Sequence, residues 1–296
     1  MPRRARMAFA GAAGGVLLMV VTWFAVHDLA VLRRADANIL AGFLGLHRPS
    51  LNTLTLGVAS LCNPVPFVIL AAVPVCIALL RGRVRVAVML VVLLIGANET
   101  TEVLKPLLSG DRDPVPGVFL THATWPSGHA TAAMSLALAM VIAVPARMRP
   151  VVAAVMAAFA LAVVYSFLEL GWHYPSDVLG GFEVASTWAL LVVGGLWTYE
   201  ARRSPAAARP SVPRFSLGEA LAPPLVLVLC GLALAAVLTL ARPNAVIGYA
   251  RGHELFVVGA AAIAALCFVC ASGLNLLLRR PPESVAGRSA GPRLQR

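Results

Sequence analysis

The chain has 296 residues, 59% of them hydrophobic, with a mean hydropathy of +0.84. Only 12% are charged, against about a quarter in soluble domains, which excludes an ordinary soluble protein and places the chain in lipid. The net charge of +11 suits nucleic acid or an anionic membrane surface, and the placement of the basic residues decides for the membrane, with no nucleic-acid partner.

Crossing the hydrocarbon core takes about 20 mostly apolar residues per helix, because backbone polar groups find no partner in lipid. The length therefore admits about eight spans. They are expected near 7–26, 51–80, 84–108, 127–144, 151–168, 175–199, 219–240 and 254–278. The first follows PRRAR and is long for a signal core, with no small-residue cleavage site, so a retained helix is expected. Pro64 and Pro66 interrupt the second. All five cysteines (Cys62, Cys76, Cys230, Cys267 and Cys270) fall inside apolar runs and read as packing residues, not as disulfides or a metal site.

Placing the N-terminus in the cytoplasm puts 17 of the 24 Lys and Arg residues on the cytoplasmic side, as the positive-inside rule requires. Both termini are then cytoplasmic, and 109–126 and 169–174 share the outer face. The expected architecture is all-α: a polytopic membrane bundle with a six-helix core over 1–200 and a cytosolic Pro, Ala and Arg-rich linker over 201–218. Two further transmembrane helices over 219–278 and a disordered basic tail over 279–296 complete it. The Ala, Arg, Gly and Pro bias hints at a bacterial source, hence a plasma membrane.

Ionisable groups at membrane depth are costly and mark function. The third span ends GANETTEVLKPLLSGDRDP, in which Glu99, Glu102 and Lys105 are spaced by three on one helical face and Arg112 follows. Lys105 is the single lysine of a chain with 23 arginines, so the position selects more than positive charge. In THATWPSGHA, Pro126 suits a first helical turn, and Ser127 and Gly128 are expected to offer free amides at a positive helix end, an anion site. GWHYPSDVLG repeats the logic: a helix opening at Pro175 and Ser176, His173 just before it, and Asp177 placed to hold one ring nitrogen of His173. Trp125 and Trp172 read as interface anchors. Two helix starts, each with a histidine, and a Lys and Arg pair from a third helix are thus expected to converge on one outward-facing phosphate.

These three stretches resemble the type 2 phosphatidic acid phosphatase superfamily, integral membrane lipid phosphatases whose site is related to that of vanadium haloperoxidases. Lys105 and Arg112, seven apart, match its first motif; Pro126, Ser127, Gly128 and His129 its second; His173 and Asp177 its third. The resemblance implies a helical six-span core, no cofactor or metal, and a lipid phosphate or polyprenyl diphosphate substrate. It implies that His173 is the nucleophile forming phosphohistidine, that Asp177 orients it and that His129 protonates the leaving group. Lys105, Arg112, Ser127 and Gly128 are implied to hold the phosphoryl oxygens. Two positions depart from the family: Asp113 stands between Arg112 and Pro114, and Phe167 stands where an arginine is usual. Glu169, nearby, is unwelcome beside phosphate unless it pairs with Arg112.

Two rival readings remain. A phosphotransferase of the same fold passes the group to an alcohol instead of water, and a non-catalytic lipid-phosphate binding or transport protein uses Glu99, Glu102 and Glu183 as a proton relay.

Overall fold

The computed structural model describes residues 1–118, 120, 123–203 and 216–279. Among these there are eleven α-helices and no strand. They are α1 (Arg3–Asp28), α2 (Ala30–Leu44), α3 (Asn52–Ala59), α4 (Pro64–Leu80), α5 (Val84–Leu107) and α6 (Gly128–Ala143). After them come α7 (Arg149–Glu169), α8 (Pro175–Arg203), α9 (Leu217–Ala241), α10 (Pro243–Gly252) and α11 (Glu254–Leu278). Most of the linker expected over 201–218, and nearly all of the tail, lie outside the described residues.

The chain is an integral membrane helical bundle. Six helices (α1, α5, α7, α8, α9 and α11) are long and apolar enough to span. The expected second span is bent: α3 and α4 meet at 60°, and the pair serves as a seventh crossing if counted as one. The break is at Asn63, whose extended backbone (φ −65°, ψ 155°) is what a following proline imposes by clashing with a helical predecessor. The expected fourth span, α6, has 16 residues, about 24 Å against a core of about 30 Å.

α6 is short because it is central. Thirteen of its residues are buried, and α4, α5, α7, α8 and α11 pack around it. Its alanine-rich sequence lets neighbouring backbones approach closely, which is how helices associate where lipid removes the hydrophobic incentive. α8 comes nearest: a Cβ on Gly181 would lie 2.7 Å from the Ser127 carbonyl oxygen and 2.8 Å from the Ala130 Cβ. Glycine is required there.

α2 and α10 lie outside the expected spans. α2 packs on α1, α7, α8 and α11. α9 and α11 pack on α7, with the Tyr165 hydroxyl donating to the Ala260 carbonyl at 2.6 Å and Asn275 to the Ala220 carbonyl at 3.3 Å. Leu225, Leu229 and Leu232 of α9 remain exposed, as lipid-facing side chains should.

Candidate active site

One end of the bundle gathers the C-terminal ends of α5 and α7, the N-terminal ends of α6 and α8, and residues 108–118, with α2 packed beside them. Ser127 N-caps α6, its Oγ accepting from the Ala130 amide at 3.2 Å, which satisfies one orphan donor of the first turn. The helix therefore starts after Pro126, not on it. The Ser127 amide was expected to be free for an anion; it donates instead to the Asp177 carbonyl at 2.9 Å, tying the second motif to the third. Gly128 and His129, at the first two helical positions, carry the amides that lack a partner in their own helix by position.

Lys105 lies against this helix start. A Cβ on Gly128 would sit 3.1 Å from the Lys105 Nζ and 3.1 Å from the Glu102 Oε1, so glycine here admits the cation to the helix terminus. Lys105 also pairs with Glu102 at 2.5 Å. Glu102 is exposed, so this pair is worth at most about 1 kcal/mol and a phosphate has little to overcome in sharing the ammonium.

The two histidines meet from different helices, their ring centroids 6.1 Å apart. His173 turns Nδ1 toward the fully buried Asp177, 3.4 Å from its Oδ2; the same oxygen accepts from the Tyr174 amide at 2.9 Å. With Nδ1 facing a carboxylate, Nε2 is the nitrogen presented to the site. His129 Nε2 meets the Asn63 Oδ1 at 2.9 Å. Phe167, fully buried, lies 5.3 Å from the His173 ring and 6.0 Å from that of His129. The position of the usual arginine is thus an apolar wall shared by both histidines.

Arg112 is where geometry and expectation part most. Its side chain is 6% exposed, and both terminal nitrogens are engaged by the protein. Nη1 donates to the Asp36 Oδ2 at 3.1 Å and to the Ser176 Oγ at 2.8 Å, and Nη2 donates to the Asp177 Oδ1. Nε is buried without a hydrogen-bond partner, and the guanidinium lies 5.0 Å from the Tyr174 ring centroid. The start of α8, expected as a second anion site, already holds an anion of the chain's own. Asp36 accepts from the Ser176 amide at 2.9 Å through Oδ1 and from the Ser176 hydroxyl at 2.5 Å through Oδ2. Burial pushes the Asp36 carboxyl up to about 6, against the opposing pull of Arg112.

Other contacts correct the sequence reading. Glu169 pairs with His47 at 3.4 Å, not with Arg112. Asp113 faces Arg33 of α2 at 3.4 Å, and its carbonyl accepts from the Tyr174 hydroxyl at 2.8 Å. Trp125 is no interface anchor: it is buried, and a Cβ on Gly180 would fall 2.6 Å from its ring. Trp172 lies tilted against His129, centroids 5.4 Å apart. Glu183 accepts from the Thr22 hydroxyl at 2.7 Å between α8 and α1. Asn63 and Asp36 are the site residues that sequence reasoning missed. The Asn-Pro interruption of an apolar run is a visible signal for the first; an aspartate in a polar stretch gave none for the second.

Residues 86–201 match the sequence model of the PAP2 superfamily. No curated protein matches the chain. Among solved structures, the fold is similar to one described as the first transmembrane PAP2 type phosphatidylglycerolphosphate phosphatase from Bacillus subtilis. The two share 21% identity at a TM-score of 0.54, over 65% of this chain and 98% of that one. Residues 86–201, the stretch that holds Lys105, Arg112, His129, His173 and Asp177, thus match the PAP2 superfamily model, and the fold is similar to that of a transmembrane PAP2 type protein.

Proposed function

We propose that the protein is a membrane phosphatase that hydrolyses a lipid or polyprenyl phosphate or diphosphate through a phosphohistidine on His173, on the extracytoplasmic face. The observation that carries the reading is the histidine pair: rings 6.1 Å apart, one oriented by a buried carboxylate, the other at a helix start beside a lysine. In this scheme the His173 Nε2 attacks phosphorus and the bond to the leaving oxygen breaks. His129 gives that oxygen a proton. Water then attacks the phosphohistidine, His129 takes its proton back, and phosphate leaves. Lys105, the Gly128 amide and the Arg112 Nε stabilise charge spreading over the phosphoryl oxygens, while the Ser127 hydroxyl caps the helix that presents them.

No metal is needed in this scheme, and among the described residues no group of three His, Cys, Asp or Glu side chains is placed to share one. The test is phosphate release by detergent-purified protein from phosphatidic acid, phosphatidylglycerol phosphate, and long-chain prenyl phosphates and diphosphates, with chelator present. Wild type releases phosphate and His173→Ala does not; activity surviving in His173→Ala, or appearing only with added divalent cation, overturns the scheme.

The Phe167 wall favours a second reading, transfer to an alcohol, because it excludes water on one side of both histidines. A phosphorylated alcohol accumulating at the expense of free phosphate, when a lipid alcohol is added, decides for transfer.

A further inference from the structure

The matched family segment begins at residue 86, yet two of the charges closest to the site come from α2, far upstream. Asp36 meets Arg112, and Arg33, one helical turn earlier on the same face, meets Asp113. Two residues of one helix therefore hold two consecutive residues of the segment that follows α5, with signs that match only in this register: acid on Arg112, base on Asp113. The inner pair is buried and the outer one half-buried. Asp36 also supplies the anion at the start of α8, so one carboxylate joins the first motif to the third.

We propose that α2 is a positioning element of the site, a clip in which Asp36 and Arg33 grip Arg112 and Asp113 and so aim the guanidinium at Asp177. The proposal rests on the phosphatase reading for its catalytic consequence, not for its geometry. It accounts for Asp113, the residue that separates Arg112 from Pro114: the aspartate is the loop's handle for Arg33. It also accounts for the two protein carboxylates on Arg112. A guanidinium held at both Nη groups keeps only Nε and one Nη2 hydrogen for further donation, and does not swing between carboxylate and substrate. α2 itself is backed by the C-terminal helices: Phe43 packs edge-on against Phe256 with centroids 4.9 Å apart, and the Tyr249 hydroxyl donates to the Gly42 carbonyl. Those helices thereby gain a role in holding the clip.

The test uses the full chain in detergent at neutral to slightly basic pH, below the temperature at which circular dichroism shows any loss of helix. On phosphatidic acid, Asp36→Asn, which preserves volume, lowers kcat about 10²-fold, the cost of misplacing a reacting group by about 1 Å, while KM moves less than about threefold. Arg33→Glu and Asp113→Arg each lower kcat about threefold, the scale of a half-exposed pair; combined, the reversed pair recovers most of the loss, because contacting residues do not add independently. A kcat in Asp36→Asn within about threefold of wild type, or a loss confined to KM, overturns the positioning role. Limited trypsinolysis reads the clip without any reaction. Cleavage after the buried Arg112 rises at least about fivefold in Asp36→Asn, while cleavage after the exposed Arg147, at the far end of the bundle, is unchanged. Wild type that releases no phosphate removes the phosphatase reading alone, and unchanged cleavage after Arg112 removes the clip.

Discussion

Asn63 and His129, 66 residues apart in the chain, meet at 2.9 Å between Oδ1 and Nε2, so the break in the second membrane crossing delivers a hydrogen-bond acceptor to the proposed general acid. A carbonyl oxygen at this distance holds a proton on Nε2 and with it the orientation of the ring, which leaves Nδ1 as the nitrogen free for proton transfer. Removing His129 should damage turnover of an alkyl phosphate far more than of p-nitrophenyl phosphate, whose leaving group departs unaided. Asn63→Ala should show the same asymmetry at smaller scale, about tenfold on the alkyl substrate, as expected for one hydrogen bond to a charged group. Steady-state rates on the two substrates check both variants; equal losses on both argue against general-acid catalysis by His129.

Asp36 carries a pH signature in stability. Its carboxyl sits at about 6 in the folded protein, raised from 3.8 by burial despite Arg112. A raised group contributes stability that is full below the unfolded value and is lost as pH climbs through the folded one. Between about pH 4 and 6.5, ionising Asp36 therefore costs stability that an asparagine does not lose. Differential scanning fluorimetry in detergent should show the advantage of wild type over Asp36→Asn shrinking across that window and flat above it. A growing advantage means that attraction to Arg112 outweighs desolvation of the pair.

The three motifs were legible because each interrupts an apolar run at a helix end, where polar residues stand out against lipid. Partners were another matter. Arg33, Arg34 and Asp36 sit in a charged stretch between the expected spans, and no periodicity announces that one of them crosses to Arg112. The anion sites at two helix starts were sound as local physics, yet one is filled by Asp36 and the Ser127 amide by a carbonyl of α8. Local rules say what a helix terminus needs, and tertiary packing decides who supplies it. Trp125 misled for the converse reason: tryptophan at a span end is usually interfacial, but Gly180 opens a slot for its ring inside the bundle.

The charge asymmetry predicts which end of the bundle faces out. Ser109, after α5, and Met148, between α6 and α7, are both exposed and lie at opposite ends of α6. In a cysteine-free background, Ser109→Cys should react with a membrane-impermeant maleimide in intact cells, and Met148→Cys only after permeabilisation. Labelling of Met148→Cys in intact cells reverses the topology and moves the proposed chemistry to the cytoplasm.

Phe167 offers the sharpest test of what the site does with charge. Lys105 is shared with Glu102, and Arg112 with Asp36 and Asp177, so a phosphate entering beside Phe167 meets cations that are already paired. Phe167→Arg adds an unpaired cation to a position with no solvent exposure. Burying a charge without a partner costs several kcal/mol, and losing the packed ring adds to that. The variant should therefore melt well below wild type in anion-free buffer. A tetrahedral or five-coordinate oxyanion supplies the missing partner, and a ligand that binds only the folded state raises stability by mass action, about 2.7 kcal/mol at a hundred times its dissociation constant. Orthovanadate should accordingly raise the melting temperature of Phe167→Arg more than that of wild type, and more than that of Phe167→Leu, which keeps the wall apolar. One added donor to a transition-state oxyanion is worth about 3 to 4 kcal/mol when well placed, so phosphate release should hold or rise despite the weaker fold. If vanadate protects neither wild type nor Phe167→Arg, no phosphate site lies between the two histidines. If wild type neither binds vanadate nor releases phosphate while Phe167→Arg does both, the natural protein is a disabled phosphatase fold whose role lies in lipid binding.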